Sequence, residues 1–368
     1  MNICSFLDPV AKLNPDRPAL SVGDLRYATY AELAARVARL ASGLVHSVTQ
    51  VEPGDRIGIA MKNCPEYVEI QLACWWAGLC VVPINAKLHA REFAYILDNS
   101  GAKACFVDAE LANVIDGIKA DVPSLNHVFE ITGGDYEALL GHDAAGVFDA
   151  HYESPAWIFY TSGTSGTPKG ATLSHRNLWG MAWRYYVDID PVSHTDTYIH
   201  AAPISHGSGL YGLPHLMKAS HIVIPPSGAF DVDEIFDLMT RYRNITFFAA
   251  PTMVNRMTNH PAAASARATS LKTIYYGGAP MYLNDIRKAL STFGCCFYQC
   301  FGQGESPMTG IGMSKATHAD ESHPRYLERL ASTGTARTGV DVRIVDPEDR
   351  DLPIGEPGEI LFRSDVTM

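Results

Sequence analysis

The chain has 368 residues, 47% hydrophobic and 19% charged, with 30 glycines and 22 prolines; it can bury a sizeable core in two or more packed subdomains, and its composition is neither disordered nor fibrous. Its 29 Lys plus Arg stand against 40 Asp plus Glu, a formal net charge of −11. That balance excludes a surface built to attract nucleic acid or anionic membrane, so any phosphate site must be assembled locally.

Near the start, MNICSFLDPVAKLNPDRPAL has no basic segment followed by an apolar one, so no secretory signal is expected and a cytoplasmic location is predicted. From Asp55, DRIGIAMK reads as a strand, CPEYVEIQLACWWAG as a helix and LCVVPIN as a second strand, which makes a βαβ unit. Within it the apolar run LACWWAGLCVVPI, residues 72 to 84, is too short to span a bilayer and carries Gly and Pro, so no membrane span is predicted. AREFAYILDNSG follows as a helix closed by Gly101, then AKACFVDAE as a strand. Further strands are predicted at HVFEIT, AWIFYTS, TYIHAAP, HIVIPP, ITFFAAP, LKTIYYGG and CCFYQCFG, with HRNLWGMAWRYY and VDEIFDLMTRY as intervening helices. Such alternation predicts an α/β fold with mostly parallel sheets covered on both faces, and the strand count predicts more than one sheet. After about residue 330, GVDVRIVDPEDRDLPIGEPGEILFRSD holds short strand-like runs between turn residues, which predicts antiparallel β-structure.

The eight cysteines (Cys4, Cys64, Cys74, Cys80, Cys105, Cys295, Cys296 and Cys300) are scattered through apolar segments without paired CxxC motifs, so reduced core thiols are expected. Among the histidines, His194, His200, His206, His215 and His221 lack the i, i+4 spacing with a glutamate that a zinc protease needs, and no structural metal site is expected.

One stretch stands apart. YTSGTSGTPKG, residues 160 to 170, follows an apolar strand and precedes the helix that starts after Ser174. Glycines let backbone N–H groups approach an anion closely; Thr161, Ser162, Thr164, Ser165 and Thr167 add hydroxyl donors, and Lys169 adds charge, so a polyphosphate is the natural occupant. It is not a Walker A loop, because Pro168 precedes Lys169 and Gly170 follows it, where that motif needs Gly before Lys and Ser or Thr after. Elsewhere YYGGAP opens backbone at a strand's carboxyl end through Gly277 and Gly278, where ligands of α/β sheets bind.

The stretch YTSGTSGTPKGATLSH resembles the signature of the adenylate-forming superfamily: acyl-CoA synthetases, nonribosomal adenylation domains and beetle luciferases. APISHG, YYGGAP, FGQGES and STGTARTGVDVRIVD leading to PIGEPGEI follow in that superfamily's order, and the resemblance covers essentially the whole chain. It implies two packed αβ sheets in an αβαβα layering plus part of a distorted β-barrel. Residues 1–330 would form two interleaved α/β subdomains of an AMP-binding N-terminal domain, and 331–368 the start of the barrel subdomain. The chain is expected to end before the hinge and the small, lysine-bearing C-terminal domain, and so to turn over poorly alone. The implied reaction is ATP-dependent activation of a carboxylic acid as acyl-AMP, with Mg²⁺, followed in the full-length protein by thioester formation with coenzyme A.

The resemblance also implies roles. Thr161, Ser162, Gly163, Thr164, Ser165, Gly166, Thr167 and Lys169 would hold the departing pyrophosphate. Gly278, Ala279, Pro280, Phe301 and Gly302 would hold the adenine, and Glu305 the metal. His206 would lie near the reacting carboxylate, within an acyl pocket walled by His206, Ser208, Tyr211, Gly277, Cys300 and Met308. Gly304 departs from the family's usual Thr, whose hydroxyl touches the α-phosphate; either water or a neighbouring hydroxyl replaces it, with Ser306 and Thr309 as candidates, or adenylation is slower. ISHGSGLYG carries no Asp to pair with an ammonium group, which disfavours an amino acid substrate, and apolar neighbours favour an aryl or medium-chain acyl group over a diacid. Two alternatives stay open: a non-catalytic nucleotide- or acyl-binding module of the same fold, and acyl transfer to a carrier-protein thiol.

Overall fold

The structure, a computed structural model, describes residues 1–46, 51–161 and 168–368. Among them the chain forms three sheets. The six-stranded sheet runs in the order His127–Glu130, Ala102–Val107, Arg56–Ala60, Cys80–Ile84, Pro155–Thr161, Lys169–Ser174, parallel except for the last pair. The nine-stranded sheet runs Thr335–Ala336, Ile311–Met313, Phe297–Phe301, Leu271–Gly277, Ile245–Ala249, Thr197–Ile199, His221–Ile224, Pro18–Val22, Leu25–Thr29, with a parallel centre and antiparallel edges. Asp341–Val345 and Glu359–Arg363 pair as an antiparallel ribbon; of the expected distorted barrel, the described residues form this ribbon and no closed barrel.

Period-two alternation builds five layers from these sheets. Tyr275 faces a central core shared by both large sheets, whereas its neighbours Ile274 and Tyr276 face an outer core under the helices Val232–Arg241, Pro251–Thr258 and Leu283–Phe293. On the other sheet Val81 enters the central core, while Cys80 and Val82 pack under Ala90–Ser100 and Ala112–Ile118. Filling the centre are the helices Tyr30–His46, Pro65–Trp76, His175–Asp188 and Gly207–Leu216. Every residue of Pro65–Trp76 except the half-buried Glu66 in its first turn is buried, as in a helix sandwiched between two sheets. The α/β fold and its layering are those expected.

Helix ends follow local chemistry. Gly101 closes Ala90–Ser100 at φ 63°, a left-handed cap that suits glycine. Ser174 starts His175–Asp188: its Oγ accepts the Asn177 amide (3.3 Å), and Asn177 Oδ1 accepts the Ser174 amide (2.7 Å). The cysteines are free thiols, six of them buried, and no described helix is long and apolar enough to cross a membrane.

Candidate active site

The Gly-rich loop is a hairpin loop. Lys169–Ser174 forms a strand antiparallel to Pro155–Thr161, with Lys169 opposite Thr161 and Gly170 opposite Tyr160, so the segment before the helix that starts after Ser174, to which sequence reading gave no element, is a strand. Backbone ladder bonds therefore clamp the loop's two ends in register. Ser162, Gly163, Thr164, Ser165, Gly166 and Thr167 lie outside the described residues. Below them the Tyr160 hydroxyl donates to Asn99 Oδ1 (2.7 Å), and Tyr95 donates to the Pro168 carbonyl (3.1 Å), which ties the loop's base to the helix Ala90–Ser100. Lys169 is exposed at the loop's exit.

Beside the loop a cavity of roughly 460 Å³ opens where the two large sheets meet. Phe159, Tyr160 and Thr161 reach it from one sheet; Gly277, Gly278 and Cys300 reach it from the carboxyl ends of two neighbouring strands of the other. His206, Gly207 and Leu210 close it from the helix Gly207–Leu216, and Phe248, Ala250, Gly302, Gln303, Gly304 and Met308 complete it. No lining side chain is formally charged. Two glycines make the space: a Cβ on Gly277 would lie 2.2 Å from the Cys300 carbonyl oxygen, and one on Gly207 would lie 2.9 Å from Met308 Sδ. Gly278 holds φ 80°, which turns the chain out of its strand at the cavity edge.

His206 is the one ionisable imidazole on this surface. Its Nδ1 shares a hydrogen bond with Ser205 Oγ (2.8 Å), and its ring meets Phe159 edge-on at 5.6 Å. Burial lowers its pKa, so the ring is neutral at pH 7.

The cavity brings together Thr161, His206, Gly277, Gly278, Cys300, Gly302 and Met308 of the expected residues. Ala279 and Pro280 are exposed just past Gly278, and the Phe301 ring packs against Phe362 at 6.0 Å. Ser208 and Tyr211 correct the expected acyl pocket, for neither lines the cavity. Ser208 lies about 100° around the helix from Gly207 and bonds His200 Nδ1 (2.9 Å), while Tyr211 is fully buried behind Met308 with its hydroxyl on the Met308 carbonyl (3.3 Å). Ser306 and Thr309 are likewise removed as stand-ins for the hydroxyl lacking at Gly304: both are buried, and they donate to the Thr309 and Pro307 carbonyls (2.8 and 2.7 Å).

Phe159, Leu210 and Phe248 were not foreseen. Strand alternation from Thr161 points back to Phe159, and helical spacing from Gly207 points to Leu210, so both were open to sequence reading. Phe248 comes from a neighbouring strand, and only sheet order places it here.

Among the described residues no group of three or more His, Cys, Asp or Glu side chains could hold a metal alone. Glu305 is half-buried beside the cavity, and its carboxylate joins no ion pair among the described residues. A lone carboxylate of this kind fits a hard divalent cation whose other ligands are phosphate oxygens and water.

A family model described as "AMP-binding enzyme" matches residues 7–368. Feruloyl-CoA synthase of Amycolatopsis sp is 31% identical over 353 residues, which cover 95% of this chain and 67% of that protein. The crystal structure of the N-terminal domain of FACL13 from Mycobacterium tuberculosis superposes with a TM-score of 0.86 at 25% identity, covering all of this chain and 90% of that one. ATP-bound MatB from Rhodopseudomonas palustris superposes with a TM-score of 0.84 at 26% identity, covering all of this chain and 71% of that one. With the Gly-rich hairpin, the Gly277–Gly278 turn and the cavity between them in one continuous match, the chain belongs to the AMP-binding enzyme family.

Proposed function

We propose that this chain carries the acid-activating site of an AMP-forming acid–thiol ligase that takes an aryl or medium-chain monocarboxylic acid. The observation that carries this reading is one cavity with two chemically different ends. Thr161, where the strand enters the Gly-rich loop, marks a polar end suited to phosphates; His206, Leu210, Phe248, Cys300 and Met308 make an apolar end without a charged side chain. A nucleotide and an acid in that cavity meet with the α-phosphate beside the carboxylate.

A carboxylate is a poor electrophile until one oxygen becomes part of a good leaving group. Its oxygen attacks the α-phosphorus of ATP, the bond from that phosphorus to the bridging oxygen of the β-phosphate breaks, and acyl-AMP and pyrophosphate result. The thiol of coenzyme A, deprotonated as it attacks, then adds to the acyl carbonyl and expels AMP. Thr161, residues 162 to 167 and Lys169 hold the departing pyrophosphate by N–H, hydroxyl and ammonium donors. Gly278, Ala279, Pro280, Phe301 and Gly302 frame the adenine at the cavity rim. Neutral His206, with Nδ1 accepting from Ser205, has Nε2–H left to donate to the acid; a neutral donor orients the carboxylate without neutralising it as a nucleophile. Glu305 is the carboxylate that would hold Mg²⁺, which when bound offsets the charge of the phosphates.

That ATP-bound MatB and feruloyl-CoA synthase match nearly the whole chain supports the nucleotide and the aryl acid respectively. The test is pyrophosphate release by the full-length protein across aryl, aliphatic and dicarboxylic acids, followed by thioester detection with coenzyme A. Release is expected with monocarboxylic acids and a coenzyme A thioester as product; silence with every acid refutes the reading, and a dicarboxylic acid as best substrate refutes the apolar end.

A further inference from the structure

We propose that Arg337 is a positioning residue that sets which acids the cavity accepts, by holding Met308 against the cavity in a left-handed backbone conformation. The inference rests on the acid-activation reading above. Met308 lines the apolar end, with its thioether lying over Gly207. It is one of four non-glycine residues with positive φ among the described residues, at 55°, where Cβ crowds the following carbonyl. A methionine stays there only if its surroundings over-determine it.

The determinants converge on its carbonyl oxygen. Arg337 Nη1 donates to it (3.0 Å), and so does the Tyr211 hydroxyl (3.3 Å). Arg337 is itself fixed on every side. Its side chain is 1% exposed; Nε pairs with Asp188 (3.0 Å), Nη2 donates to the Arg184 carbonyl (3.0 Å), and Nη1 also reaches the Tyr211 hydroxyl. Asp188 is held in turn by the Thr338 hydroxyl (2.5 Å). One planar guanidinium thus locks the end of the helix His175–Asp188, the buried face of the helix Gly207–Leu216 and the turn bearing Met308. A lysine, a point charge without a fork, cannot address all three. Arg337 is absent from the cavity lining, so its influence on the acid runs through Met308.

A merely structural ion pair would lower stability and slow every acid alike. A positioning role shifts the balance between acids. The test uses the full-length protein and pyrophosphate release with an aryl acid and a shorter aliphatic acid. Arg337→Lys is expected to raise the KM for the preferred acid by roughly 10-fold and to change the ratio of kcat/KM between the two acids by at least about 3-fold. The KM for ATP stays within error. Met308→Ala should move the same ratio, and the double variant should shift it no further than Met308→Ala alone. Equal losses for both acids, or additive shifts in the double variant, overturn the inference. Should Arg337→Lys not fold, Tyr211→Phe removes one of the two carbonyl donors and leaves the ion pair; an unmoved ratio in that variant overturns the inference as well. Wild-type protein that releases no pyrophosphate with any acid defeats the activation reading itself, and this inference with it.

Discussion

Gly304 sits where a side chain has no room. A Cβ there would lie 2.9 Å from Thr161 Cγ2 and 3.0 Å from Phe159 Cδ1, against the roughly 3.5–4.0 Å at which carbon atoms rest. Its φ is outside the left-handed range, so the obstacle is steric and not conformational. Trp157 stacks on Phe159 at 6.4 Å and His206 meets it edge-on at 5.6 Å, so the ring gives way only at the cost of those contacts. Overpacking of this degree costs about 1–3 kcal/mol, and replacing glycine recovers about 0.4–1 kcal/mol through the unfolded chain. Gly304→Ala should therefore destabilise by about 1–2 kcal/mol in urea unfolding. Pyrophosphate release should slow as well, because the displaced Thr161 and Phe159 both line the cavity. Thr161→Ser deletes the offending methyl and keeps the hydroxyl; in that background the penalty should shrink by about 0.5–1 kcal/mol, a coupling expected of atoms in contact. Gly304→Thr, which would restore the family's usual residue, should be worse than Gly304→Ala. Unchanged stability in Gly304→Ala, or strict additivity with Thr161→Ser, refutes the steric account.

Two further outcomes follow from buried groups. His200 and His175 are fully buried, and burial depresses their pKa values to about 3 and about 4 from 6.5; His175 Nδ1 accepts the Ile3 amide (3.0 Å), which only the ring with Nδ1 unprotonated can do. Because the folded values lie below the unfolded one, their stabilisation is complete above pH 6.5 and is lost as pH falls toward 4. At pH 5 the loss should be about 2 kcal/mol for each; urea midpoints that agree between pH 7.5 and pH 5 would contradict it. Gly277→Ala should fail to fold, since its Cβ would meet the Cys300 carbonyl oxygen at 2.2 Å across a paired ladder, and backbone cannot yield without opening the sheet; a soluble variant with wild-type melting would show the ladder to be looser than drawn.

Local periodicity carried most of the fold. The βαβ unit from Asp55 and the helix capped at Gly101 are each specified within about thirty residues, and both form as read. What escaped was non-local. KGATLS has no apolar run, yet Lys169–Ser174 is a strand because Pro155–Thr161 offers it a ladder. Pro18–Val22 became part of the large sheet by pairing Leu20 with Ile222, some two hundred positions along the chain. Ser208 and Tyr211 were placed in the acyl pocket by the resemblance, whereas the turn of the helix sends them into the core. Nothing in the sequence singles out Arg337, and only packing reveals it as buried.

Gly304 shows how the two kinds of information combine. The resemblance marks it as a departure, and one of the expectations that follow is that a neighbour in the same loop supplies the lost hydroxyl. The neighbours are committed to that loop's own carbonyls, and the space a threonine would need is filled from the opposite sheet by Phe159 and Thr161. The glycine is therefore half of a packing pair whose other half lies more than a hundred residues away, on the strand that feeds the Gly-rich loop. In this structure the Phe159 ring and the Thr161 methyl occupy the space that a side chain at 304 would need. The difference from the usual pattern is thus first one of cavity shape.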